Sequence, residues 1–180
     1  MNQKAIMEFS HRVHSDLFRD IESLSDVDLY RQLTPGTWSI AEVIEHLRQV
    51  DALLLKLFRR VVTGQKPSER RLSQRLIARV GLLAGHWMIA RPLFKVNAPS
   101  FVAPLSTPPR HELIAGLKQV LDDLAQCEQL YSPEQLTQLY IKHPGVGALN
   151  FYEMMLIDTY HFQRHLLQIQ ALKEKLKSGA

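Results

Sequence analysis

From Lys4 to about residue 24, Ile6, Phe9, Val13, Leu17, Ile21 and Leu24 recur at spacings of three and four, which places them along one side of a helix. The pattern predicts an amphipathic helix that ends before Leu33, Thr34, Pro35, Gly36 and Thr37, where proline and glycine favour a turn. A second stripe, Val43, Ile44, Leu47, Val50, Leu54, Leu57, Phe58 and Val61, runs on until Gly64 and Pro67 stop it. It opens with Trp38-Ser39-Ile40-Ala41-Glu42. There Ser39 is placed to cap the first turn and Glu42 to reach back and complete a capping box. Trp38, just before the cap, is placed to pack on that turn.

Residues 68 to about 89 read as helix again, weakened in their second half by Gly81, Gly85 and Pro92. Between 90 and 110, Pro92, Pro99, Pro104, Pro108 and Pro109 predict a long irregular connection, of the kind that serves as a lid or binding loop. Leu113, Leu117, Val120, Leu121 and Leu124 then predict a helix from 110 to about 130. His143-Pro144-Gly145-Val146-Gly147 reads as a tight turn, and Asn150 with Glu153 as a capping box that opens a last helix reaching about Lys177. No Val/Ile/Thr-rich alternating segment and no repeat intervenes. The expectation is an all-α fold: a four-helix bundle with an extra helical segment and a long proline-rich crossover, a single domain over residues 1–180.

Composition adds little to that picture and removes several alternatives. Hydrophobic residues at 46% and charged residues at 22% are enough for a well-formed core. The net charge of +4 leaves room for an anionic partner, but acidic and basic residues alternate over most of the chain. The densest basic stretch, Arg70, Arg71, Arg75 and Arg79, has helical spacing and reads as a solvated helix face, so no nucleic-acid partner is expected. A lone Cys127 excludes an internal disulfide. The opening MNQKAIMEFSHRVH lacks the apolar core of a signal peptide, and no apolar run approaches the roughly 20 residues that span a bilayer. No membrane association and a cytoplasmic location are the expectations. A GxSxG elbow, a phosphate-binding glycine loop, a dinucleotide fingerprint and a cysteine pair are all absent.

The histidines carry the remaining chemistry. His161 and His165 are four apart and share one face of the last helix, beside Met154, Ile157, Phe162, Ile169 and Leu172. Burying two imidazoles there costs on the order of 1–3 kcal/mol each without partners, so mutual hydrogen bonding or a metal is required. His46 stands three after Val43 and four before Val50, on the inward side of its helix, either as a satisfied core histidine or as a third ligand. Glu42, Asp158 and Gln168 flank these positions at helical spacing, as orienting partners of the imidazoles or as ordinary rim residues. His11 and His14 sit among Ser10, Arg12, Ser15 and Asp16, which predicts exposure. His86, His111 and His143 stand apart from any such pattern, although His143 is placed to line a pocket mouth.

Two blocks resemble a known family. TPGTWSIAEVIEHL, from Thr34 to Leu47, is similar to the tryptophan-serine helix start and helix-two histidine of the DinB-like superfamily. HPGVGALNFYEMMLIDTYHFQRHLLQIQ, from His143 to Gln170, resembles its closing turn and HxxxHxxQ helix. The resemblance implies a bundle of the DinB/YfiT-like type in which His46, His161 and His165 hold a divalent metal, often nickel or zinc, frequently in a homodimer. It further implies a small-molecule substrate. Relatives of this kind include metal-dependent transferases of low-molecular-weight thiols such as bacillithiol and mycothiol, and a thiol-using maleylpyruvate isomerase. Metal-dependent hydrolysis and a non-catalytic binding or dimerisation module are the alternative expectations.

Overall fold

Three of the four long helices begin on a side chain that satisfies first-turn N–H groups, which helix geometry leaves without intrahelical acceptors. In the computed structural model, which describes residues 2–64, 72–89, 102–104, 106–143 and 146–178, α1 (Gln3–Glu22) starts at Asn2, whose side chain accepts from the Ala5 N–H at 2.8 Å. α3 (Ile40–Gly64) starts with a reciprocal box: the Glu42 N–H donates to the Ser39 hydroxyl at 3.2 Å, and the Ser39 N–H donates to the Glu42 carboxylate at 2.7 Å. α7 (Phe151–Ser178) repeats it with Asn150 and Glu153, both bonds at 3.0 Å. α5 (Arg110–Leu130) follows Pro109, which offers no side-chain cap. Between these run α2 (Asp26–Tyr30), α4 (Leu72–Ile89) and α6 (Pro133–Gln138).

Specific cross-helix contacts fix the directions of the bundle. Phe9 meets Tyr160, His14 meets Phe162 and Asp20 accepts from Lys173, so α1 and α7 run parallel. Arg59 pairs with Asp123, and Gly116 lies against Arg48, so α3 and α5 are also parallel. Arg110, at the start of α5, reaches the end of α1, and Lys118 lies over the Phe18 ring, which makes α1 and α5 antiparallel. Parallel neighbours cannot be joined by a short turn, which is why a long crossover carrying α4 separates α3 from α5. The core is filled by the predicted stripes: Leu17, Leu47, Phe58, Leu113, Leu117, Leu124 and Phe162 are fully enclosed. Phe58 sits between Tyr131 and Phe151, ring centroids 5.4 and 4.9 Å away.

The structure differs from the sequence expectation in three places. The first helix stops at Glu22, and a separate short helix begins at Asp26, capped by the Ser25 hydroxyl. The expected tight turn around Pro144 is flanked by an antiparallel ribbon, β1 (Ile141–His143) with β2 (Gly147–Leu149), in register Ile141 to Leu149. Three-residue strands are too short to show alternation, so the fold remains all-α with this one addition. On α4 the arginine face holds only in part. Arg79 is exposed, but so are Leu76, Ile77, Val80 and Leu83, and the helix turns Ala78 inward instead. Gly81 lets α4 lie against the ribbon, since a Cβ there would stand 2.6 Å from Val146 Cγ1. Arg70, Arg71, Pro92, Pro99 and the side chains of Arg75 and His86 lie outside the described residues. No helix among the described residues is long and apolar enough to cross a membrane.

Candidate metal centre

The inward faces of α3 and α7 bring three imidazoles together. His46 lies in the second turn of α3, and His161 and His165 lie one turn apart on α7. The His161 Nε2 is 3.2 Å from the His46 Nε2 and 3.0 Å from the His165 Nε2. One ligand atom from each lies within 4.8 Å of the others, a group that can hold a metal ion. Four donors set tetrahedrally at the usual zinc–nitrogen length stand about 3.3 Å apart, so these separations suit a single ion.

Hydrogen bonds made on the far side of the rings decide which nitrogens face the centre. His46 Nδ1 lies 2.8 Å from the main-chain carbonyl of Val102. A carbonyl only accepts, so Nδ1 carries the proton and Nε2 presents a lone pair. His165 Nδ1 donates in the same way to the Gln168 side-chain oxygen at 2.9 Å. Two lone pairs therefore confront His161 Nε2. If that atom carries a proton it satisfies one of them, and if it does not, three lone pairs converge. In both cases the buried His161 Nδ1 has no partner among the described residues. A cation shared by the three Nε2 atoms resolves the conflict, and the donor set fits one.

The electrostatics point the same way. Burial lowers the pKa of all three imidazoles: His165 to about 4, His161 well below its usual value, and His46 less because the Val102 carbonyl favours its protonated form. His165 and His46 further disfavour charge on His161, and His46 does so on His165. The site is thus kept in the neutral form that metal ligation needs. Trp38 packs on His46 with ring centroids 5.0 Å apart, walling one side. The His161 ring is enclosed with the others, and its Nδ1 has no accessible surface.

The flanking residues divide. Gln168 contacts His165 as described. Glu42 does not touch a histidine: its oxygens are taken by the Ser39 N–H and by the Gln32 amide at 3.0 and 3.2 Å, and Val102 occupies the place beside His46. Asp158 is buried against Asp51 on α3, and none of the four carboxylate oxygens has a hydrogen-bond donor among the described residues. Asp51 escaped the sequence reading because no motif surrounds it. The signal was available in the pattern, since Asp51 stands four before Leu55 and seven before Phe58, both buried.

Among the described residues, the remaining histidines do not join the centre. His11 and His111 are exposed. His14, expected to be exposed, instead packs on Phe162 with ring centroids 4.6 Å apart, and its Nε2 lies 3.5 Å from the buried Ser10 hydroxyl. Burial and the neighbouring His11 push its pKa down to about 4. His143 ends β1, half-buried, and is likewise lowered by burial. Burial pushes the Cys127 thiol up to about 11, which makes it a packing residue and no nucleophile.

The chain is similar to known proteins in sequence and in fold. The model of the DinB superfamily matches residues 11–169. The uncharacterized protein YuaE of Bacillus subtilis (strain 168) is 25% identical over 185 residues, which cover 95% of this chain and 99% of YuaE. The solved structure of YfiT from Bacillus subtilis, described as a probable metal-dependent hydrolase with an unusual four-helix bundle topology, superposes with a TM-score of 0.63. That match covers 97% of this chain and 87% of YfiT at 14% identity, a likeness of fold.

Proposed function

The chain belongs to the DinB superfamily, and from that premise we propose that it is a divalent-metal-dependent enzyme, a transferase acting on a low-molecular-weight thiol through His46, His161 and His165. The observation that carries this reading is the convergence of Nε2 atoms from three imidazoles, the group of possible ligands found among the described residues. Three neutral imidazoles leave a coordination position open, as catalytic sites do and closed structural sites do not. A bound nickel or zinc ion would supply Lewis-acid chemistry there, lowering the pKa of a thiol or a water held at the open position.

The chain's own residues prepare that position. Val102 and Gln168 hold two rings with Nε2 turned inward. Trp38 shields His46 from water on one side.

Hydrolysis is the second reading, and the likeness to YfiT favours it. Both reactions begin with a nucleophile at the same position and differ in whether it is thiol or water. The homodimer and the cytoplasmic location implied at the outset complete the proposal, the latter in keeping with a single reduced cysteine.

The test uses chelator-treated protein reloaded with zinc or nickel. It is assayed for conjugation of a panel of small thiols to an electrophile, and for hydrolysis of esters and amides. Metal-dependent conjugation supports the first reading and metal-dependent hydrolysis the second, and His161→Ala should lose metal and turnover together. Full turnover after chelation would overturn both. Marked loss of stability on chelation, without turnover on any substrate, would instead favour a non-catalytic metal-binding module.

A further inference from the structure

Asp51 and Asp158 are 0% and 2% exposed, and they face each other between the two helices that carry the triad. Asp158 precedes His161 by three residues, about 4.5 Å of helix rise, and Asp51 follows His46 by five, about 7.5 Å. Because α3 and α7 run antiparallel through this contact, both carboxyls lie on the same side of the triad. Apart from His161, whose Nδ1 has no partner among the described residues, the buried polar groups of these helices are engaged elsewhere. Glu45 is bound by Arg48 and Gln49, His46 by Val102, and His165 by Gln168. The Thr159 hydroxyl donates to the Met155 carbonyl at 2.7 Å, and His14 on α1 lies against Phe162.

Two carboxylates in contact, dehydrated and without an N–H or O–H donor among the described residues, cannot both stay charged. One proton held between them makes each the partner of the other. Burial raises both carboxyls above the usual aspartate range, and Asp158 raises Asp51 further. A hard cation in place of the proton would need six or more oxygen ligands, and two carboxyls supply at most about four.

We propose that Asp51 and Asp158 form a proton-holding site of the metal centre, which keeps one shared proton in the metal-free protein and releases it to solvent when a divalent cation binds the triad. This rests on the reading of the triad as a cation site. The balance is simple: the pair passes from one negative charge to two, and the proton leaves to buffer. Three neutral imidazoles bring no negative charge to a doubly charged ion. The pair is the buried acid of the two ligand-bearing helices that no cationic side chain among the described residues neutralises, whereas Glu45 is matched by Arg48.

The experiment is a calorimetric titration of zinc chloride into chelator-treated protein at about pH 6.5, close to the ordinary histidine value, in buffers of different ionisation enthalpy. In Asp51→Asn the amide donates to the Asp158 carboxylate and preserves one negative charge without a titrating proton. Wild type is expected to release about one proton more per ion than Asp51→Asn or Asp158→Asn. Equal release overturns the proposal, as does binding of a second zinc ion that the variants lose.

Carbon-13 NMR of the aspartate carboxyls in the metal-free protein provides an independent arm. One pair should titrate above the ordinary range in wild type, and that signal should vanish in each variant. Ordinary titration of both carboxyls overturns the shared proton whatever the metal does. Failure of wild type to bind zinc would instead sink the metal reading, and the release step with it, while the NMR arm still decides the shared proton.

Discussion

The Nδ1–H of His46 donates to the main-chain carbonyl of Val102 at 2.8 Å, joining a ligand helix to the connection that precedes α5. Because a backbone carbonyl cannot be titrated, the tautomer of His46 is fixed independently of pH above its own lowered pKa. In metal-free protein the imidazole nitrogens of His46 and His165 should therefore show the Nδ1–H tautomer by heteronuclear NMR. An Nε2–H form of His46 would contradict the assignment.

Gln168 supports His165 from outside the triad. Its replacement by alanine frees that ring to rotate and removes the acceptor that polarises it. Zinc affinity should fall roughly 10-fold to 100-fold, the usual cost of losing such a partner. Gln168→Glu keeps an acceptor in place and should restore most of the loss, as measured by competition with a chromophoric chelator. Unchanged affinity in the alanine variant would remove Gln168 from the site.

His14 gives the fold a defined acid sensitivity. Its pKa falls from 6.5 to about 4 on folding, so between those values the unfolded chain binds more protons than the folded one. Stability is then complete above about pH 6.5 and declines as pH falls toward 4. The expected loss from this residue is about 2 kcal/mol at pH 5. Urea denaturation at neutral pH and at pH 5 should show a smaller difference in His14→Gln than in wild type. Identical differences would rule His14 out.

Arg110 ties the start of α5 to the end of α1. Its guanidinium donates to the carbonyls of Leu24, Ile21 and Glu22 at 2.7, 3.0 and 3.2 Å, closing a helix end that has few other donors. Arg110→Ala should cost about 2 kcal/mol, and Arg110→Lys should recover little, since an ammonium cannot fork across three acceptors. Thermal unfolding of the two variants separates this from a simple charge effect.

The long helices were legible because their signals are local: Ile6 to Ile21 and Leu113 to Leu124 repeat at helical spacing, and the Ser39–Glu42 and Asn150–Glu153 boxes occupy consecutive turns. The pairing of His161 with His165 was legible for the same reason. His46 joined them only through a family resemblance, because spacing carries no information about a contact 115 residues away. The support from Val102 and the Asp51–Asp158 contact were illegible on the same ground. Glu42 misled because a capping carboxylate and a ligand-orienting one share the same helical offset. The ribbon at Ile141 and Gly147 is too short to leave a pattern.

The separation of His46 from His161 by 115 residues has a consequence for synthesis. During translation α3 emerges with His46 long before the helix that carries the other two imidazoles, and domains assemble as units once their chain is available. A nascent chain therefore holds one imidazole of the three until α7 leaves the ribosome. The order of synthesis thus sets the earliest moment at which the three imidazoles can meet, which is after α7 has been made.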